Sequence, residues 1–167
     1  MISTADARQL IERAYREVLP GRFADPRATV LMLAIGLQES RFRERIQLVG
    51  SPPRPTGPAR GYWQFERGGG VVGVMSHNAS ARFARAVCAI ESQSFDAASI
   101  HTRLGTASGD VMAAAFARLL LWTDPRALPA IGDEQGAWDC YLRLWRPGRP
   151  HRSTWTSLYQ QAVSVGR

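Results

Sequence analysis

Apolar positions recur at helical spacing along most of the chain, and capping residues stand where the pattern starts and stops. Ser3 or Thr4 caps a first helix running to about Val18, closed by Pro20-Gly21. Asp25 followed by Pro26 is a cap with proline at the first helical position, and it opens a helix through about Ser40. Within it Val30, Leu31, Met32, Leu33, Ala34, Ile35 and Leu37 cover the whole circumference. A helix apolar all round is buried all round, so this one is expected at the centre of the fold.

The pattern then breaks. Residues 51–58 carry four prolines, which remove backbone donors and fix φ, so this stretch is not helix. It leads into an extended, β-like run at Gly61-Tyr62-Trp63-Gln64-Phe65-Glu66 and then Gly68-Gly69-Gly70. An irregular segment as long as 41–70 inside a domain is unusual unless it builds a binding surface. Helices are expected again over 71–77, 79–92, 96–104 and 110–122, with Asp124-Pro125 repeating the cap-plus-proline device for a short turn. Gly132-Asp133 opens a helix to about Trp145, Pro147-Gly148-Arg149-Pro150 breaks it, and Ser153 caps a last helix to about Val165. The stripes Phe83/Val87/Ile90 and Met112/Phe116/Leu119 are expected in the core, and Asp110 and Asp133 read as helix caps. The fold class is thus mainly α: a single domain over residues 1–167, about eight helices, with a Gly/Pro-rich loop and a short β excursion around 57–66.

Composition narrows the function. The 167 residues include 45% apolar and 21% charged, which suits a globular domain rather than a disordered chain. All 21 basic residues are Arg, and the net charge is +7. Without Lys, P-loop nucleotide chemistry and Schiff-base catalysis are excluded. The positive charge favours a polyanionic partner. The longest apolar run, Val30 to Leu37, is eight residues, so no membrane span is expected. Met1 to Asp6 lack a basic patch ahead of an apolar stretch, so no secretory signal is expected either. Cys88 and Cys140 lie among apolar residues and read as buried free thiols. With His77, His101 and His151 scattered, no metal signature stands out, and neither metal nor cofactor is expected.

The chemistry concentrates in two segments, Glu39-Ser40-Arg41-Phe42 and Gly61-Tyr62-Trp63-Gln64. Glu39 ends the buried helix, where apolar surroundings and the negative end of the helix dipole both disfavour its anion. A carboxylic acid still protonated near neutral pH is what cleavage of a glycosidic bond needs. Arg41, Arg43 and Arg45 oppose this if they face Glu39, and a solvated Glu39–Arg43 pair is the plainer alternative. Tyr62, Trp63 and Phe65 are equally readable as core or as sugar-stacking platforms. Glu66 is the candidate second carboxylate, with pairing to Arg60 or Arg67 as its alternative. His77 reads as a cap or surface residue.

The two segments resemble the lysozyme-like lytic transglycosylases, the soluble bacterial and goose-type group. Their pattern is a helix ending in Glu-Ser-x-Phe followed by Gly-Leu-Met-Gln; here Tyr62 and Trp63 replace Leu and Met. The support covers residues 28–66. A third family element, Ala-Tyr-Asn-x-Gly, is matched loosely at Ala137-Trp138-Asp139-Cys140-Tyr141, where Tyr141 can supply the missing hydroxyl. The resemblance implies that Glu39 protonates the oxygen between N-acetylmuramic acid and N-acetylglucosamine in peptidoglycan, then takes the proton of the muramic C6 hydroxyl. It implies that Ser40 orients Glu39, and that Gln64 and the backbone near Gly61 and Tyr62 hold the sugar. In a hydrolytic lysozyme a second carboxylate activates water instead.

The expected partner is therefore a peptidoglycan glycan strand met by a monomer. A phage-encoded origin is expected, with synthesis in the bacterial cytoplasm and action on the wall after holin-type release or within a virion. The alternatives are a basic nucleic-acid or virion structural module, and a lysozyme-like fold that binds glycan without cleaving it. The Arg residues are spread through nearly every segment rather than lined along one helix face, which disfavours nucleic acid.

Overall fold

The computed structural model describes residues 1–166. Eight α-helices carry the fold among them: α1 (Thr4–Glu17), α2 (Pro26–Ser40), α3 (Val72–Ser76), α4 (Ala81–Ile90), α5 (Ala97–Leu104), α6 (Asp110–Trp122), α7 (Glu134–Trp145) and α8 (Arg152–Gly166). The protein is mainly α, as the hydrophobic pattern predicts.

Local chemistry sets the helix starts. Ser3 closes a capping box with Asp6 at the head of α1: its Oγ accepts from the Asp6 N–H while the Asp6 carboxylate accepts from the Ser3 N–H at 3.0 Å. Asp25 caps α2 by accepting from the Arg27 N–H at 2.8 Å, and Asp96 and Asp133 cap α5 and α7 in the same way.

Four expectations are corrected. Asp110 is not a cap: Gly109 holds that position, and the Asp110 carboxylate instead takes Arg45. Ser153 lies inside α8, which starts at Arg152. Ile90 is 58% exposed because Cys88, not Ile90, completes the buried stripe of Phe83, Ala84 and Val87. The loop after α2 holds only isolated bridges, Ile46 to Arg60, Val49 to Arg54 and Arg60 to Phe65, so the β excursion amounts to no strand among the described residues. Its prolines cannot donate to a ladder.

Burial follows the apolar pattern. Ten consecutive residues of α2, from Ala28 to Leu37, are buried, and α8 runs along it so closely that a Cβ at Gly166 would lie 2.8 Å from a Val30 methyl. Helix α6, buried from Asp110 to Leu121, packs beside α1, α2 and α4. Its Arg118 is enclosed, donating from Nε to the Phe23 carbonyl with its guanidinium over the Phe23 and Trp122 rings. No single helix among the described residues is long and apolar enough to cross a membrane.

Candidate active site

The exit of α2 positions the acidic side chain. Arg41 and Phe42 both take left-handed backbone, with φ of 54° and 53°, and this ends the helix at Ser40. The turn folds the Phe42 ring over Gly36, where an added Cβ would lie 2.3 Å from it. Ser40 locks the turn: its hydroxyl accepts from the Phe42 N–H at 3.1 Å and donates to the Tyr62 carbonyl at 2.7 Å. Ser40 therefore joins the two sequence segments to each other. It does not hydrogen-bond Glu39, contrary to the role the resemblance gives it, because its hydroxyl is spent on the backbone.

The aromatic segment is core. Tyr62, Trp63 and Phe65 are at most 1% exposed, which removes the sugar-stacking reading. Trp63 donates from its indole to the Met32 carbonyl at 2.8 Å, and Trp145 of α7 donates to the Trp63 carbonyl at 2.9 Å. A chain of indole hydrogen bonds thus fixes the loop between α2 and α7. Gly61 and Tyr62, expected to hold sugar, face inward. Gly61 (φ 73°) is buried with the Leu104 carbonyl 3.1 Å from where a Cβ would stand, and the Tyr62 carbonyl is taken by Ser40. Gln64 alone of that segment is half-buried on the open side, with its own left-handed backbone (φ 51°) and its amide donating to the Gly61 carbonyl at 2.9 Å.

Glu39, Gln64, Glu66 and Tyr141 line one cleft of about 930 Å³, closed on its sides by Gly68–Gly70 and by the end of α7. The Tyr141 hydroxyl donates to Glu39 Oε1 at 2.7 Å. No ion pair joins Glu39 to Arg43 among the described residues; Arg41 and Arg43 are exposed, and Arg45 is held by Asp110. Burial, with a smaller push from the Glu66 charge, holds the Glu39 carboxyl at about 7, and the Tyr141 hydrogen bond offsets part of that rise. Burial also raises the Tyr141 phenol, with the Glu39 charge adding to it, so the hydroxyl stays a donor.

Tyr141 is held from behind by an aromatic stack. Its ring lies parallel to Trp155 of α8 at 5.4 Å, and Trp138 packs against both. Trp138, which stands where the resembled motif has Tyr, is thus a support for Tyr141. Asp139 is exposed and accepts from Gln135. Glu66 is exposed on the cleft rim without an ion-pair partner among the described residues. His77 closes α3 and accepts from the Ala79 N–H. Cys88 and Cys140 are buried free thiols, and no three His, Cys, Asp or Glu side chains among the described residues converge on a metal position.

The sequence reading missed the basic end of α7, where Arg143, Arg146 and Arg149 reach the cleft, and the two indole bonds through Trp63. Only Trp145-Arg146-Pro147-Gly148, a helix end rich in aromatic and basic residues, hinted at the first. No protein-family model, curated protein or solved structure matches the chain.

Proposed function

We propose that the chain is a peptidoglycan-degrading muramidase of lysozyme-like fold, cleaving the bond between N-acetylmuramic acid and N-acetylglucosamine as a lytic transglycosylase. The observation that carries this reading is a carboxyl held at about 7 in an open cleft, hydrogen-bonded by a neutral phenol and without an ion-pair partner among the described residues. Such a group is half protonated near neutral pH, the state in which one residue serves as acid and then as base.

Glu39 gives its proton to the glycosidic oxygen as the muramic C1–O bond breaks, and the N-acetylglucosamine side leaves with a free C4 hydroxyl. Positive charge develops at C1, and the new Glu39 carboxylate is steadied by the Tyr141 hydroxyl. The muramic C6 hydroxyl attacks C1 and returns its proton to Glu39, which closes the anhydro ring and restores the acid without consuming water. Gln64, on the same wall, has its carbonyl oxygen available to an N–H of the substrate.

A hydrolytic lysozyme is the second reading, because Glu66 stands on the same cleft and its charge is felt at Glu39. Mass spectrometry of peptidoglycan digested with wild type and with Glu39→Gln separates them. Anhydro-muropeptides from wild type alone support the transglycosylase, and reducing ends from wild type alone move Glu66 into the base role. No products from wild type refute both.

A further inference from the structure

The cleft is electrically lopsided. On the side of α3 and the glycine turn its charged lining residue is Glu66, with His77 beyond it. On the other side, at the end of α7, stand Arg143, Arg146, Arg149 and His151. Arg143 is neutralised by Asp124, with which it makes a close ion pair. Arg146 and Arg149 are exposed and have no carboxylate partner among the described residues. Arg146 is the left-handed cap that ends α7 (φ 48°), its Nε turned back to the Arg143 carbonyl at 3.4 Å, and Pro147 follows it. Trp145 anchors the end of α7 to the Trp63 carbonyl, so Arg146 is presented from a fixed helix end, and Arg149 follows three residues on in the segment that lines the same cleft.

Resting on the muramidase reading, we infer that Arg146 and Arg149 form a subsite for an anionic substituent carried by the muramic acid unit whose bond is cut. The spacing supports it. Tyr141, which touches Glu39, and Arg146 lie on one helix five positions apart, roughly 7–8 Å along its axis. The peptide stem hangs from the lactyl group of that same muramic unit, and two extended residues span roughly 7 Å. Free carboxylates of the stem therefore come within reach of the two guanidinium groups, whose planar forks suit carboxylate and phosphate alike. A phosphate of a wall-attached polymer has the same chemistry. On this account the substrate is a decorated strand.

The test is steady-state cleavage by wild type and by the double variant Arg146→Gln/Arg149→Gln. Three substrates are used: intact peptidoglycan, strands stripped of peptide by an amidase, and strands stripped of phosphate polymer by acid. For a stem subsite, the wild-type KM rises on amidase-stripped strands alone. The double variant raises KM on peptide-bearing strands about tenfold, with kcat held within twofold and no change on stripped strands. If the phosphate-stripped substrate is the one affected, the anion is phosphate and the subsite stands. Equal KM for both proteins on all three substrates overturns the inference while leaving the muramidase intact. Absence of cleavage of any strand by wild type is failure of the muramidase reading itself.

Discussion

Two carboxyl groups sit at the ends of buried helices and are treated in opposite ways. Asp110 opens α6, where the helix dipole favours an anion, and Arg45 grips both its oxygens at 2.7 Å. Glu39 lies in the last turn of α2, where the dipole opposes an anion, and its hydrogen-bond partner is the neutral phenol of Tyr141. The first group fastens the loop after α2 to α6 across 65 residues of sequence. The second keeps its proton in an open cleft. The same chemical group becomes a fastener or an acid according to which helix end it occupies and whether a cation meets it.

The largest effect that sharpens this contrast is on activity. Glu39→Gln should lower peptidoglycan cleavage by about 10²–10⁴-fold, the range for losing a general acid, whereas Asp110→Asn should leave kcat per folded molecule near wild type. Wild-type kcat/KM should fall as pH rises through about 7, since the acid form of Glu39 is lost there.

Stability should show the reverse. Asp110→Asn strands Arg45 with half a partner at a site only 9% exposed on the carboxylate side. A loss of about 2–3 kcal/mol in denaturant unfolding is expected. Retention of full stability would make the pair ornamental.

The pH dependence of folding separates the two groups further. Glu39 binds its proton more tightly folded, at about 7, than at its ordinary value of 4.5. Wild-type stability therefore declines as pH rises from 4.5 to 7, and the cost is complete above that. Glu39→Gln escapes it, so this variant should be more stable than wild type by about 3 kcal/mol at alkaline pH, with the gain vanishing in acid. Urea midpoints across that range check the sign.

The smallest effects tune Glu39 from its two neighbours. Tyr141→Phe removes the bond that lowers the carboxyl, so the basic limb of the rate profile should move up in pH. Glu66→Gln removes a nearby negative charge, so it should move the limb slightly down.

Much of this architecture was legible in the sequence because it is local. The cap at Asp25, the unbroken apolar circumference after Val30 and the cap at Asp133 act within a turn or two, and α2 and α7 stand where they place them. The Glu39 position was legible for the same reason, as the last turn of a buried helix. What failed depended on contacts distant in sequence. Nothing around Ser40 announces that its hydroxyl goes to the Tyr62 carbonyl, 22 residues on, rather than to its neighbour Glu39. Asp110 carries the signature of a cap, and only the approach of Arg45 reveals its other use. Tyr62 and Trp63 looked as suited to sugar as to core, and the indole bond from Trp63 to Met32 decided for core.

The central claim is that Glu39 holds its proton to near neutrality. Carbon-13 NMR titration of the side-chain carboxyl, assigned by comparison with Glu39→Gln, measures this without any substrate. A midpoint near 7 is the expected result. A midpoint at the ordinary carboxylate value near 4.5 would mean that Glu39 is an anion under working conditions, and it would contradict the acid role assigned to it.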